Sequence, residues 1–151
     1  MRSKQLYYFF KSLKEDFSKA EPFIEEYPAD FIQGLADSEG CPGISANQTF
    51  ALSVCVAYST NLELLTYTSS LLRIAFSICS SVRLHKKAGE ADSVIDGRPI
   101  KRTKNVYGLR IGSISDTRTF SENIGFSIVR KQGKLENAIR IVSNFETGER
   151  I

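Results

Sequence analysis

Two acidic side chains near one end of a predicted helix could bind a divalent metal ion. Residues 29–39 predict a helix, with Asp37 in its last turn and Glu39 at its end, immediately before Gly40. A helix C-terminus carries partial negative charge and free carbonyl groups. Two such ends side by side, each with a carboxylate, would form a negative, oxygen-rich site that suits Mg²⁺, a hard cation.

The same helix carries small residues that would let a second helix approach it closely. Gly34 and Ser38 are four residues apart and therefore share one helix face. The chain holds one copy of this segment, whereas the close packing needs two helices. We therefore expect a homodimer with these helices on the two-fold axis, and with Gly34, Leu35 and Ser38 in its interface. An ordinary buried helix that ends in a carboxylate by chance is the alternative interpretation.

The segment from Ile32 to Gly40 resembles the LAGLIDADG motif of homing endonucleases. Glu39 takes the place of the second Asp of that motif, so the carboxylate is kept. Four positions match the motif directly: Gly34, Leu35, Asp37 and Gly40. Residues 60–65, 107–111 and 124–135 are also similar to segments of this family, and the resemblance extends from about residue 29 to 143. It indicates the single-motif, homodimeric, archaeal intron-encoded type.

The resemblance implies a site-specific DNA endonuclease that makes a staggered double-strand break in a long, roughly palindromic target. Glu39 and the main-chain carbonyl near Ser38 would hold Mg²⁺, or Mn²⁺ or Ca²⁺ at the same site, for phosphodiester hydrolysis. A basic residue near the scissile phosphate would be Arg130 or Lys131, and the sequence leaves both open. The partners would be double-stranded DNA and a second copy of the chain, with no membrane and no organic cofactor.

A non-cleaving member of the same fold is the alternative function. Such a protein would bind nucleic acid as an RNA maturase or a transcription regulator and would have lost the metal site. Glu39 distinguishes the two, because a degenerate binder would tend to lose this carboxylate, which the chain retains. A generic basic DNA-binding domain would leave the spacing of Gly34, Ser38 and Glu39 unexplained.

The elements around the motif predict an α+β fold with a homing-endonuclease-like αββαββα core and a curved antiparallel sheet. Tyr58, Tyr107 and Phe126 are expected in the core. Residues 88–104 are predicted as a long polar connection. Helices are predicted over residues 4–20, 29–39, 61–77, 116–124 and 131–144, and strands over 42–47, 50–59, 80–87 and 105–113. We assign the whole chain to one domain, with a helical extension at 1–27 and the core at 28–144.

The outer face of the sheet is predicted to contact DNA, because alternate strand positions there are polar or basic. Arginine and asparagine suit guanine and adenine edges, whereas lysine more often contacts phosphate. The expected DNA-binding residues of this face are Ser45, Asn47, Ser53, Arg83, His85, Lys87 and Arg110. Arg98, Lys101 and Arg102 lie in the connection at 88–104, where they could clamp the flank of the DNA site or belong to a solvated loop.

The distribution of charge agrees with a polyanionic partner, although the 151-residue chain has a net charge of only +3. Residues 1–40 carry a net charge of −3, and residues 80–151 carry +6. The sequence has no run of apolar residues long enough to span a bilayer and no CxxC pair for a zinc site. The three cysteines are therefore expected to be reduced thiols. We expect an intracellular, cytoplasmic protein at nucleoid DNA.

Overall fold

The computed structural model describes residues 16–45 and 51–147, and it has an α+β fold with helices packed on one face of an antiparallel sheet. The four-stranded sheet has the order β1-β2-β6-β3, and a separate hairpin pairs β4 with β5. After a short 3₁₀ turn, the elements are α1 Glu21–Glu26, α2 Pro28–Glu39, β1 Cys41–Ser45, β2 Ala51–Ser59, α3 Leu62–Phe76, β3 Ser81–Lys86, β4 Ala91–Ile95, β5 Arg98–Lys101, β6 Val106–Ile111, α4 Ile114–Asn123 and α5 Val129–Thr147. The predicted fold class is confirmed.

The core lies between the helices and the inner face of the sheet. Ile32 and Ala36 of α2, four residues apart, are both fully buried against it. The other large side chains buried there include Val54, Val56, Leu65, Leu72, Leu109, Ile111, Phe120 and Leu135. Tyr107 packs against this core and Phe126 is buried in it, as predicted. No described helix is long and apolar enough to cross a bilayer.

Helix α2, which carries the motif, begins and ends at residues that the sequence indicates. Pro28 occupies the first turn, where its missing N–H leaves no hydrogen bond unmade. Gly40 follows the helix with a φ of −78°. It does not adopt the left-handed conformation that is common for a glycine after a helix. The reason for glycine is crowding, since a Cβ at this position would clash with the carbonyl oxygen of Ala36 and lie 2.7 Å from that of Val56.

An irregularity in β2 reverses the predicted orientation of Tyr58. The register against β6 shifts between Cys55 and Ala57. As a result Val56 and Ala57 are both buried in the core, although they are adjacent in sequence. Tyr58 then lies on the outer face of the sheet, and its prediction as a core residue is wrong.

A second irregularity lies in β3, between Leu84 and Lys86. The strand ends at Lys86, whereas the prediction extended it to residue 87. Lys87 instead begins the turn into the next hairpin, and its backbone N–H donates to the Glu90 carboxylate over 3.1 Å. Leu84, the last residue before the irregularity, is 51% exposed.

The predicted polar connection at 88–104 is wrong, because the hairpin of β4 and β5 occupies it. Its turn is formed by Asp96 and Gly97, with φ values of 50° and 75°. Positive φ at both central residues is the geometry that an Asp-Gly hairpin turn requires. The Asp96-Gly97 dipeptide therefore indicates this hairpin in the sequence itself.

The N-terminal helix predicted over 4–20 lies mostly outside the described residues. From Asp16 onward the prediction is wrong, since Asp16 is extended and its side chain caps the 3₁₀ turn Phe17–Lys19. A short helix, α1, follows between the helices predicted at 4–20 and 29–39. The predicted helices at 61–77, 116–124 and 131–144 are confirmed with ends shifted by at most three residues.

Candidate nucleic-acid interface and metal site

Glu39 is exposed at the end of α2 and borders a cleft between the helix end and the sheet. Lys86 of β3 and Arg102, just after β5, border the same cleft and contribute two cationic residues to its lining. The other lining residues are Tyr58, Ser59, Thr60, His85 and Val106. Neither Lys86 nor Tyr58 was predicted as a site residue, because the two strand irregularities change which side chains reach this region.

Asp37, the first acidic residue of the motif, is engaged in holding the fold together. Its carboxylate accepts hydrogen bonds from the backbone N–H of Ser127 at 3.1 Å and of Ile128 at 3.4 Å. The Ser127 hydroxyl donates to the same carboxylate. Asp37 therefore ties the end of α2 to the segment that opens α5.

Lys131 lies at the end of the motif helix. Its ammonium donates to the carbonyl oxygen of Asp37 at 2.6 Å and to that of Ala36 at 3.1 Å. It also lies 5.7 Å from the centre of the Phe126 ring. A cation at a helix C-terminus stabilises the partial negative charge there. Arg130, the other candidate, is exposed in the first turn of α5.

The exposed face of α2 has room for a second helix. Gly34 and Ser38 are both exposed, and a Cβ on Gly34 would meet nothing within 4 Å. The Ser38 hydroxyl donates to the Leu35 carbonyl at 2.9 Å, so the side chain folds back on its own helix. Leu35 is half-buried and packs against the core of its own chain.

Several predicted DNA-binding residues lie together on the outer face of the sheet. Ser53, Arg83, His85 and Arg110 line one groove across β2, β6 and β3. The structure does not place the others in this groove: Arg98 and Lys101 are exposed on β5, Arg102 borders the Glu39 cleft, and Lys87 is in a turn. The side chain of Ser45 and the whole of Asn47 lie outside the described residues.

Tyr58 contacts two residues of this outer face. Its hydroxyl accepts a hydrogen bond from Arg110 Nη2 at 3.0 Å, and its ring centre is 4.4 Å from that of His85. Burial, and next the neighbouring Cys55 thiol, raise the pKa of the Tyr58 hydroxyl. Burial is likewise the main cause that raises the pKa of the Cys55 thiol.

The raised pKa of Cys55 predicts a loss of stability at alkaline pH. Because the folded chain holds this proton more tightly than the unfolded chain, the stabilisation is complete below the ordinary pKa and is lost as pH rises through the folded-state value. The free energy of unfolding should therefore fall above about pH 9. Urea titrations at several pH values should show a shallower fall for Cys55→Ala, and an unchanged slope would contradict this role of the thiol.

The contacts of Asp37 predict that replacing this residue lowers the stability of the fold. Asp37→Ala leaves the N–H groups at the start of α5 without their acceptor and should lower the free energy of unfolding by about 1–2 kcal/mol. Glu39→Ala is the matched control, since an exposed surface substitution changes stability by less than about 0.5 kcal/mol. Equal urea midpoints for the two variants would be incompatible with the tie between α2 and α5.

A metal site at the motif end would need more ligands than the described residues of one copy place there. Among the described residues, no group of three or more His, Cys, Asp or Glu side chains converges as a metal site. At the motif end, Asp37 is engaged by Ser127 and Ile128, which leaves Glu39 as the exposed carboxylate. Mg²⁺ binds through one or two carboxylates with waters and substrate phosphates, so Glu39 fits such a site if a second copy and DNA complete it.

Comparison of sequences identifies relatives that are longer than this chain. The chain is 33% identical over 137 residues to an uncharacterized protein of Methanocaldococcus jannaschii, and the match covers 91% of the chain and 46% of that protein. It is also 31% identical over 95 residues to the protein RecA of Mycobacterium tuberculosis, where the match covers 12% of RecA. The chain thus spans about half the length of the first relative. No family model matches the sequence.

Comparison of structures shows which class of proteins shares the fold. The homing endonuclease I-CvuI, solved in complex with its DNA target in the presence of Ca, superposes with a TM-score of 0.56 at 14% identity, over 84% of this chain and 73% of I-CvuI. The homing endonuclease I-TnaI superposes with a TM-score of 0.52 at 20% identity, over 80% and 74%. The described chain therefore has the fold of homing endonucleases.

Proposed function

We propose that the chain is a site-specific DNA endonuclease of the LAGLIDADG homing type, active as a homodimer. The observation that carries the proposal is the exposed Glu39 carboxylate at the end of α2, next to the open Gly34 and Ser38 face of the same helix. Crossing two copies of that face would bring two Glu39 carboxylates together. The two-fold axis of the dimer then accounts for a long, roughly palindromic target. One cut in each strand, at offset positions, would give the staggered break.

DNA recognition is assigned to the outer face of the sheet and to the hairpin beyond it. Arg83 and Arg110 lie in the outer groove, where their guanidinium groups can reach base edges. Arg98 and Lys101 are exposed on β5 and suit phosphate contacts that fix the register of the protein on DNA. These residues belong to the basic C-terminal half of the chain, which favours binding to a polyanion.

The metal in this proposal is Mg²⁺, held by Glu39 of each copy with the main-chain carbonyl near Ser38. When bound, it would supply activation of water and stabilisation of the leaving oxygen. The carboxylate of Asp37 keeps the helix end in place through its bonds to Ser127 and Ile128. The use of Ca in one of the homing endonuclease structures, and of Mg in another, supports a divalent ion at this kind of site.

The two basic residues are proposed to have different roles. Lys131 keeps a positive charge at the end of the motif helix, where it binds the Asp37 carbonyl, and so lowers the repulsion between that region and a phosphate. Arg130 is exposed and available to a phosphate of the backbone. We therefore assign the position near the scissile phosphate to Lys131 and a DNA-backbone contact to Arg130.

The proposal is tested by selecting cleaved sites from a randomised duplex library with Mg²⁺. Ligating adapters to newly formed ends and sequencing them should recover one long site with two-fold related halves. Recovery of bound but intact DNA from the same library would favour the non-cleaving binder. A chain that enriches no sequence, bound or cleaved, would contradict the assignment of DNA recognition itself.

A further inference from the structure

Three strands contribute to one side-chain cluster on the outer face of the sheet. Tyr58 comes from β2, Arg110 from β6 and His85 from β3. The Tyr58 hydroxyl accepts a hydrogen bond from Arg110 Nη2 at 3.0 Å, and the His85 ring lies against the Tyr58 ring at 4.4 Å with an angle of 39° between the planes. Arg110 itself is exposed. The cluster thus combines the exposed Arg110 guanidinium with the half-buried Tyr58.

The backbone beneath the cluster is shaped to receive the Tyr58 ring. Tyr58 is paired with Gly108 of β6, directly across the two strands. A Cβ on Gly108 would lie 3.0 Å from Tyr58 Cε1 and 3.2 Å from Cδ1, closer than ordinary contact. The ring can lie against β6 because that position is glycine, and the irregularity after Cys55 is what turns Tyr58 to this face.

The bond to Tyr58 has a consequence for what Arg110 can recognise. A guanidinium group presents five N–H donors in a fixed planar fork. The bond from Nη2 to Tyr58 restricts the rotation of the fork, and because Arg110 is exposed its remaining donors are available to a ligand. A pre-oriented fork matches the two acceptors of guanine, O6 and N7, at the major-groove edge. A flexible arginine would suit a phosphate equally well.

We propose that Tyr58 is a positioning residue that presents Arg110 to a guanine in the target DNA. The inference rests on the DNA recognition assigned under the proposed function, but not on cleavage. Tyr58 acts through Arg110, His85 packs against the Tyr58 ring, and Gly108 leaves room for that ring. The specificity of one base pair in each half-site therefore depends on a residue that need not touch DNA.

The test compares base preferences after selection of bound duplexes from a randomised library. The wild-type chain should enrich guanine at one position in each half-site, and Arg110→Lys should abolish that preference, because an ammonium cannot form the two-donor fork. Tyr58→Phe, which removes the hydroxyl and keeps the ring, should lower the preference about 5-fold or more at that position alone. Tyr107→Phe is the matched control, since its hydroxyl contacts Asn105 over 3.4 Å.

Two further comparisons separate positioning from a general structural effect. Tyr58→Phe should have no additional effect in the Arg110→Lys background, whereas a structural role would add to it. Gly108→Ala, which pushes on the ring from below, should reproduce the loss at the same position. The inference is overturned if Tyr58→Phe keeps the wild-type preference or if its effects spread over all positions. A wild-type chain that enriches no sequence would overturn the DNA recognition on which the inference rests.

Discussion

Replacing Glu39 with glutamine is expected to abolish cleavage of a selected target while leaving DNA binding intact. The amide keeps the size of the side chain but removes the charge that would hold the metal. Loss of metal assistance removes several kcal/mol of transition-state stabilisation, which corresponds to a fall in rate of about a thousand-fold or more. Because Glu39 is exposed, the fold should be unaffected.

The measurement is the single-turnover rate with Mg²⁺, together with the dissociation constant for the same duplex. Asp37→Asn provides a matched control, since it makes the same carboxylate-to-amide change two residues earlier at a position engaged by Ser127. We expect Asp37→Asn to lose stability and to retain more activity than Glu39→Gln. Cleavage by Glu39→Gln at the wild-type rate would show that the metal assignment is wrong.

Gly34→Leu is expected to prevent dimer formation while leaving the fold of the single chain intact. The isolated helix accommodates the new side chain, because a Cβ at Gly34 meets nothing within 4 Å. Leucine is favoured over glycine inside a helix by about 0.8 kcal/mol, so the unfolding temperature should stay equal or rise. The leucine side chain would nevertheless hold two crossing helices apart. Dimer formation should be lost, and cleavage should fall about a hundred-fold or more.

Gly133→Leu is the control for that variant. Gly133 lies in α5 and is exposed, and a Cβ added to it would also meet nothing within 4 Å. The same substitution there should raise helix stability without changing assembly. Sedimentation equilibrium of both variants and the wild type gives the oligomeric state, and thermal unfolding gives the stability. A Gly34→Leu chain that remains dimeric and active would place the interface elsewhere.

The motif helix and the general order of elements could be predicted from the sequence because local signals mark them. Pro28 opens α2, the spacing of Ile32 and Ala36 gives it a buried face, and Asn61 caps α3 through a bond to the Leu64 N–H. These features depend on residues close in sequence. The fold class follows from their order and was confirmed.

The details of the site depend on contacts between distant residues, which local patterns do not encode. Strict alternation placed Tyr58 in the core, whereas the register shift against β6 turns it outward to Arg110. The bond from Lys131 to the end of α2 joins residues 94 positions apart, so no local pattern predicts it. The hairpin at 91–101, in contrast, was missed although its Asp-Gly turn is a local signal.

Cleavage of a selected duplex labelled on both strands distinguishes a metal-dependent homodimeric nuclease from a DNA-binding protein. We expect the purified wild-type chain with Mg²⁺ to cut both strands, at positions related by the two-fold axis of the site, and chelation of the metal to stop both cuts together. Tight binding of the same duplex with both strands left intact in Mg²⁺ would contradict the account and would identify the chain as a DNA-binding protein without nuclease activity.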